Sequence, residues 1–173
     1  MLFSVQAIAQ TTYKVEPYEY EGNTYTIVYK VTLPPTSLGI VNTISDIITL
    51  INSDAGSNSY NLIFNGNLDF SGQNLTGISP TSTTIANTLT VGNVNIGKLT
   101  VNGTLNANSL TINTGKTLTV NGNVYTNTLT NNGTISVGNY KILNVSGNYT
   151  GNGRVYERIC GFCYSYSCLI IQC

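Results

Sequence analysis

Histidine and tryptophan are absent from the 173 residues of this chain, and charge is scarce. Seven lysines and arginines balance seven aspartates and glutamates, and together they make up 8% of the sequence. An ordinary soluble domain carries about 25%. Each shortage excludes something. Without histidine there is no Ser-His-Asp triad, no Cys-His pair, no HExxH zinc site and no histidine-ligated haem. Zero net charge argues against nucleic acid as a partner, because phosphate neutralisation supplies most of that affinity. No run of about 18 apolar residues occurs, so no helical membrane span is expected. Carboxylates are missing altogether between residues 70 and 156. That stretch cannot supply the paired carboxylates of glycoside hydrolysis or the Asp-rich rungs of calcium-binding β-rolls. The expectation is a protein that is not an enzyme and uses no metal or cofactor.

What replaces charge is small and polar. There are 24 asparagines and 17 glycines, with abundant threonine and serine, and 41% of the chain is apolar, enough for one core. The few charges are unevenly placed. Up to residue 69, Lys14 and Lys30 stand against Glu16, Glu19, Glu21, Asp46, Asp54 and Asp69, a net of −4. From residue 70, Lys98, Lys116, Lys141, Arg154 and Arg158 stand against Glu157 alone, a net of +4. In an elongated subunit that split gives ends of opposite sign and favours head-to-tail contact.

Four segments follow from the pattern. Residues 1–36 hold an N-terminal apolar stretch and a hairpin. The stretch 1–10 is either the end of an export signal, with Ala7-Ile8-Ala9 as a cleavage site, or a mature strand. Residues 12–33 are rich in Tyr, Val and Thr around a Glu21-Gly22-Asn23 turn, and Pro34-Pro35 ends the second strand. Residues 37–55 contain the helix. Leu38, Val41, Ile44, Ile48 and Ile51 follow a 3.6-residue period, with Thr36 or Ser37 as N-cap.

Residues 56–155 are repetitive. Leu99-Thr-Val-Asn-Gly103 returns as Leu118-Thr-Val-Asn-Gly122, 19 residues on, and Leu110-Thr-Ile-Asn113 returns as Leu129-Thr-Asn131 at the same spacing. Leu89 to Leu110 is 21. A period near 19–20 with two or three short strands per turn indicates a β-solenoid. Alternation points Leu and Val inward and Thr outward. Asn-Gly pairs mark corners, where positive φ is wanted and asparagines can ladder. The fold expected is mainly β: a β-solenoid of about five coils with an N-terminal hairpin and a capping helix. A sandwich of short antiparallel strands is the competing fold. Leu99–Gly103, Leu118–Asn123 and Leu129–Ile135 resemble the repeats of filamentous-haemagglutinin-type adhesins and other secreted right-handed β-helices. The resemblance covers about half the chain and implies an extracellular setting. Thr88/Thr90, Ser109/Thr111 and Thr128/Thr130 could stack as an outward hydroxyl array, but threonine is also simply a good exposed strand residue.

Residues 156–173 form a cysteine-rich tail. Cys160, Cys163, Cys168 and Cys173 suffice for a metal or iron–sulfur site, but their spacing is not a zinc-ribbon pattern, and two disulfides in an oxidising compartment are the preferred reading. Five sequons, at Asn74, Asn102, Asn132, Asn144 and Asn148, are candidate glycosylation sites. Leu2, Phe3, Val5 and Ala7 at one end, and Leu169, Ile170 and Ile171 at the other, are candidates for subunit contact by strand addition. The functional expectation is a structural subunit of an extracellular filament or surface assembly, partnered by copies of itself. The alternative is a glycan- or cell-binding adhesin or tail-fibre module, with Tyr-rich loops as the binding surface and cell-surface glycans as partners.

Overall fold

The computed structural model describes residues 10–56, 58–76 and 80–157, and the backbone of a strand at 168–171. The chain starts with β1 (Thr11–Tyr20) and β2 (Asn23–Lys30), the expected hairpin. Its turn residues, Glu21 and Gly22, have φ of 49° and 75°. Positive φ at both positions is the tight turn whose twist suits a hairpin. β3 (Thr36–Val41) then pairs antiparallel with β2, and α1 (Ile44–Ala55) follows.

The segment expected to be helical from Ser37 therefore divides, and the helix begins at Ile44. Neither Thr36 nor Ser37 caps it. Thr43 does: its hydroxyl accepts from Asp46 N–H at 3.1 Å, and the Asp46 carboxylate accepts from Thr43 N–H at 2.8 Å and Asn42 N–H at 3.0 Å. That reciprocal pair satisfies backbone donors a helix start leaves orphaned. Gly39 and the β-branched Ile40 and Val41 are poor helix formers, and β2 offers them an edge to pair with. The buried helix face is Ile44, Ile47, Ile51 and Ala55.

The coils come next. β4 (Tyr60–Phe64) and β5 (Leu68–Phe70) open the first, β6 (Ser82–Ile85) and β7 (Thr88–Asn95) the second, and β8 (Leu99–Val101) and β9 (Thr104–Ile112) the third. β10 (Thr117–Val120) and β11 (Asn123–Asn131) make the fourth, followed by β12 (Thr134–Val137), β13 (Ile142–Val145) and β14 (Tyr149–Thr150) in the fifth. β15 (Arg154–Glu157) and β16 (Cys168–Ile171) stand last on the stack. One sheet runs β15-β12-β10-β8-β6-β4-β1-β2-β3, the other β16-β13-β11-β9-β7-β5. Every ladder between coils is parallel, which rules out the antiparallel sandwich.

β7, β9 and β11 are long because each turns a corner. Pairing is interrupted at Gly92, Asn108 and Asn127 and resumes beyond them. The second halves form a third face, with Leu75 bridging to Val94 on one side and β14 pairing with β11 on the other. Apolar residues stack up the interior along all three faces as one continuous core, as in Leu89–Leu105–Val124–Leu143 and Val94–Leu110–Leu129. Three polar residues join it. Thr126 donates to Thr128 O at 2.8 Å, Asn131 accepts from Gly133 N–H at 3.1 Å and donates to Arg154 O at 3.3 Å, and Thr83 Oγ1 has no partner among the described residues.

Leu99 pairs with Leu118 and Leu110 with Leu129, as the 19-residue spacing expects. The 21-residue step does not hold: Leu89 pairs with Leu105, and Leu110 takes Val94. Coil length varies, since Thr83 stacks on Leu99 but Ile135 stacks on Val155. The Thr-x-Thr triplets do not stack as one array either. Thr88 and Thr90 lie before the corner and Ser109, Thr111, Thr128 and Thr130 after it, on the third face.

The corner glycines also have a different cause from the one expected. Gly103 and Gly122 are outside the positive-φ region. A Cβ on Gly122 would overlap the Gly103 carbonyl oxygen, and one on Gly103 would overlap Asn87 O. Here glycine is required by the close approach of one coil to the next. Asparagine side chains link successive coils in pairs: Asn87 to Asn65 at 3.2 Å, Asn121 to Asn102 at 3.2 Å and Asn113 to Asn95 at 2.7 Å.

Candidate functional site

Three places on the surface combine chemistry with geometry: the two ends of the stack and a groove along its side. The N-terminal end is built by the ribbon and α1. Tyr13, fully buried on β1, donates its hydroxyl to Asp54 near the end of α1, and Lys30 Nζ on β2 lies 2.9 Å from the same carboxylate. Burial, then the hydrogen bond to Asp54, pushes the Tyr13 phenol up. The hydrogen bonds from Tyr13 and Lys30 hold the Asp54 carboxyl below the usual range. At the opposite end of the helix, Ile44 N–H donates to Gln73 Oε1 of the first coil at 2.8 Å. The helix is thus tied at both ends and buries its apolar face on the solenoid core.

Among the described residues, no further strand pairs with the outer edge of β3. β3 is the last strand of its sheet and exposes Ile40 by 55%. Because β2 is antiparallel to both β1 and β3, β3 runs in the same direction as β1 and every coil strand of that sheet. The hairpin tip carries Glu19 and Glu21 with the stacked rings of Tyr18 and Tyr20, whose centroids are 6.4 Å apart.

At the other end, β15 and β16 each have one partner strand among the described residues, β12 and β13. Arg154 is exposed, and its hydrogen bond to Tyr156 raises its guanidinium further. Ordered along the axis, Glu16, Glu19, Glu21 and Asp69 occupy the ribbon and first coil, while Lys98, Lys116, Lys141 and Arg154 occupy the later coils. Lys14 and Lys30 on the ribbon and Glu157 on β15 run against this trend, and Arg158 lies outside the described residues, but the described charges still divide in sign along the stack.

The groove crosses the corner between the second and third faces. Its volume is about 600 Å³, and it runs from the turn after β5 to β13. Its lining contains no charged side chain; Thr90, Asn106, Tyr125 and Asn144 stand in register across four successive coils, flanked by Asn108 and Asn127 at the corner.

The residues singled out in the sequence are placed unevenly. Leu169, Ile170 and Ile171 lie on β16, whose backbone pairs in parallel with Leu143, Asn144 and Val145 of its own chain. Cys168 starts that strand. Cys160, Cys163 and Cys173, and Leu2, Phe3, Val5 and Ala7, lie outside the described residues. Among the sequons, Asn74, Asn102, Asn132 and Asn148 are exposed. Asn144 is half-buried and lines the groove together with Asn74. The groove was not foreseen in the sequence. Its signal was the run of asparagines in Asn106-Ala-Asn108, Asn127 and Asn144, whose common alignment depends on coil register. Among the described residues no three His, Cys, Asp or Glu side chains come together as metal ligands. No described helix is long and apolar enough to cross a membrane.

Comparison with protein-family models, curated proteins and solved structures finds no match to this chain. The structure shows a β-solenoid, and none of these comparisons supports an identity with filamentous-haemagglutinin-type repeats.

Proposed function

We propose that the chain is a non-enzymatic structural subunit of an extracellular filament or surface assembly, joined head to tail to copies of itself. The observation that carries this reading is the polarity of the stack. Acidic groups sit at the ribbon end and basic groups toward the last coils, and the outermost strand at the ribbon end, β3, runs parallel to β15 at the other. A second copy docked end on could continue the sheet in one direction, gaining main-chain hydrogen bonds at an edge that no described strand pairs with. Opposite charge would bring those ends together and set their order. Residues 2–7 would add strands beyond the ribbon. Two disulfides among Cys160, Cys163, Cys168 and Cys173 would close the tail in an oxidising compartment, and glycans on exposed sequons would supply the solubility that charge does not.

The test is electron microscopy of the purified full chain across a range of concentrations and salt. Fibres one solenoid wide are expected at low salt, shortening as salt screens the ends. Ile40→Lys, which places a charge on the β3 edge, should shorten them without unfolding the subunit. A chain that stays monomeric at every concentration and salt level would refute the assembly. Mass measurement without reductant addresses the compartment: four free thiols would argue against it.

A further inference from the structure

We infer that the lateral groove is a binding site for a neutral, linear polysaccharide lying along the solenoid axis. The groove lies along the side of the stack rather than across either end, so the inference does not rest on assembly. Three properties of the groove carry it. The first is its charge: no lysine, arginine, aspartate or glutamate lines its volume of about 600 Å³. Phosphates, nucleic acids and acidic glycans would find no counter-charge there.

The second is hydrogen-bonding capacity. The side-chain amides of Asn108, Asn127 and Asn144 make no hydrogen bond within the described protein, and neither does the Tyr125 hydroxyl. An amide offers donor and acceptor side by side. Sugar hydroxyls are donor and acceptor in the same way, so a row of amides suits them better than a row of single-sense groups. Tyr125, 38% exposed, adds an aromatic ring in the middle of the row. Its face can stack on the C–H face of a pyranose, while its hydroxyl stays polar.

The third is pitch. Thr90, Asn106, Tyr125 and Asn144 come from four consecutive coils and are in direct register. Parallel strands repeat every ~4.8 Å. One pyranose unit is about as long as one such step, so successive sugars would meet successive coils. A protein partner would instead need a deep aliphatic anchor pocket; here Val91 is buried, and the apolar surface offered is the Tyr125 ring with half-buried Ala107 beside it.

The experiment uses the full chain produced without N-glycosylation, so that no glycan on Asn74 or Asn144 fills the groove. It is incubated with insoluble cellulose, chitin, mannan and β-1,3-glucan, and with alginate as an acidic control. Retention on at least one neutral polymer is expected, unchanged at molar salt. Tyr125→Ala should weaken retention about tenfold, as loss of one stacking contact would, and Tyr125→Phe should keep most of it. Both variants should melt at the wild-type temperature, because Tyr125 points outward. An Asn127→Ala/Asn144→Ala double variant provides an independent reading of the same row and should also lose binding. Retention on no neutral polymer, retention on alginate alone, or retention that Tyr125→Ala and the double variant both leave intact would overturn the assignment.

Discussion

Gly122 shows how closely this fold constrains a single residue. Its Cα lies under the carbonyl of Gly103, one coil away, with no room for a methyl group. Gly122→Ala must push the corner off its neighbour, and because the obstruction is backbone rather than a flexible side chain, it should cost about 3 kcal/mol, the upper range for overpacking. Gly97→Ala is the control: the nearest atom to its Cβ position is Pro80 O at 3.7 Å, and its φ is ordinary. Urea denaturation of both variants checks the pair, and equal midpoints would refute close stacking as the reason for Gly122. The Asn-Gly dipeptides were legible in the sequence as corners, but not their cause. Turn chemistry suggests positive φ, whereas the distance to the coil below appears only once register is known. Asn131 was hidden for the same reason. It reads as one more corner asparagine, yet it is paired with Ile112 and fully buried.

At the scale of elements, strands were legible and the start of the helix was not. Leu, Val and Thr alternation follows from the pleat itself, so β8, β10 and their partners fall where the pattern places them. The 3.6-residue stripe from Leu38 to Ile51 was misleading because a strand edge on β2 competes for its first turn, a contact that no local pattern encodes. The cap that does start the helix depends on Thr43 and Asp46. Thr43→Ala should cost about 1 kcal/mol. Both helix carboxylates are also held below their usual range: Asp46 by backbone N–H groups of Asn42 and Thr43, Asp54 by Tyr13 and Lys30. A folded-state value below the unfolded one stabilises above the unfolded pKa, about 3.9 for aspartate, and the gain is lost as pH falls from there through the depressed value. Melting temperature should therefore hold steady from neutral pH to that region and then drop. Asp54→Asn should start lower and show a shallower acid slope. An identical slope in the variant would mean that Asp54 is not part of the acid response.

Across the whole molecule the coils form a one-dimensional stack. Each touches its neighbours, the core is continuous, and no coil has an interior of its own. Such a stack tolerates the removal of a whole coil if the register on either side is kept. Leu99 and Leu118 occupy equivalent places on successive coils, as do Thr104 and Asn123, and Leu110 and Leu129. Deleting residues 99–117 joins Lys98 to Leu118, and each remaining strand meets a partner of the same kind: β10 falls against β6, and β11 against β7. The groove loses the coil of Asn106 and Asn108 but keeps Thr90, Tyr125 and Asn144 in line. The shortened chain should fold cooperatively, melt somewhat below wild type because one set of interfaces is gone, and be shorter along its axis by ~4.8 Å, one strand spacing. Circular dichroism and small-angle scattering read these properties. A deletion one residue longer, 99–118, is the decisive comparison, because it joins Lys98 to Thr119 and turns the apolar side chains of the rejoined strand outward, so it should be much less stable than the in-register deletion. If both deletions behave alike, the interior is not specified by coil register, and the alignment of Asn106, Tyr125 and Asn144 that makes the groove would lose its basis.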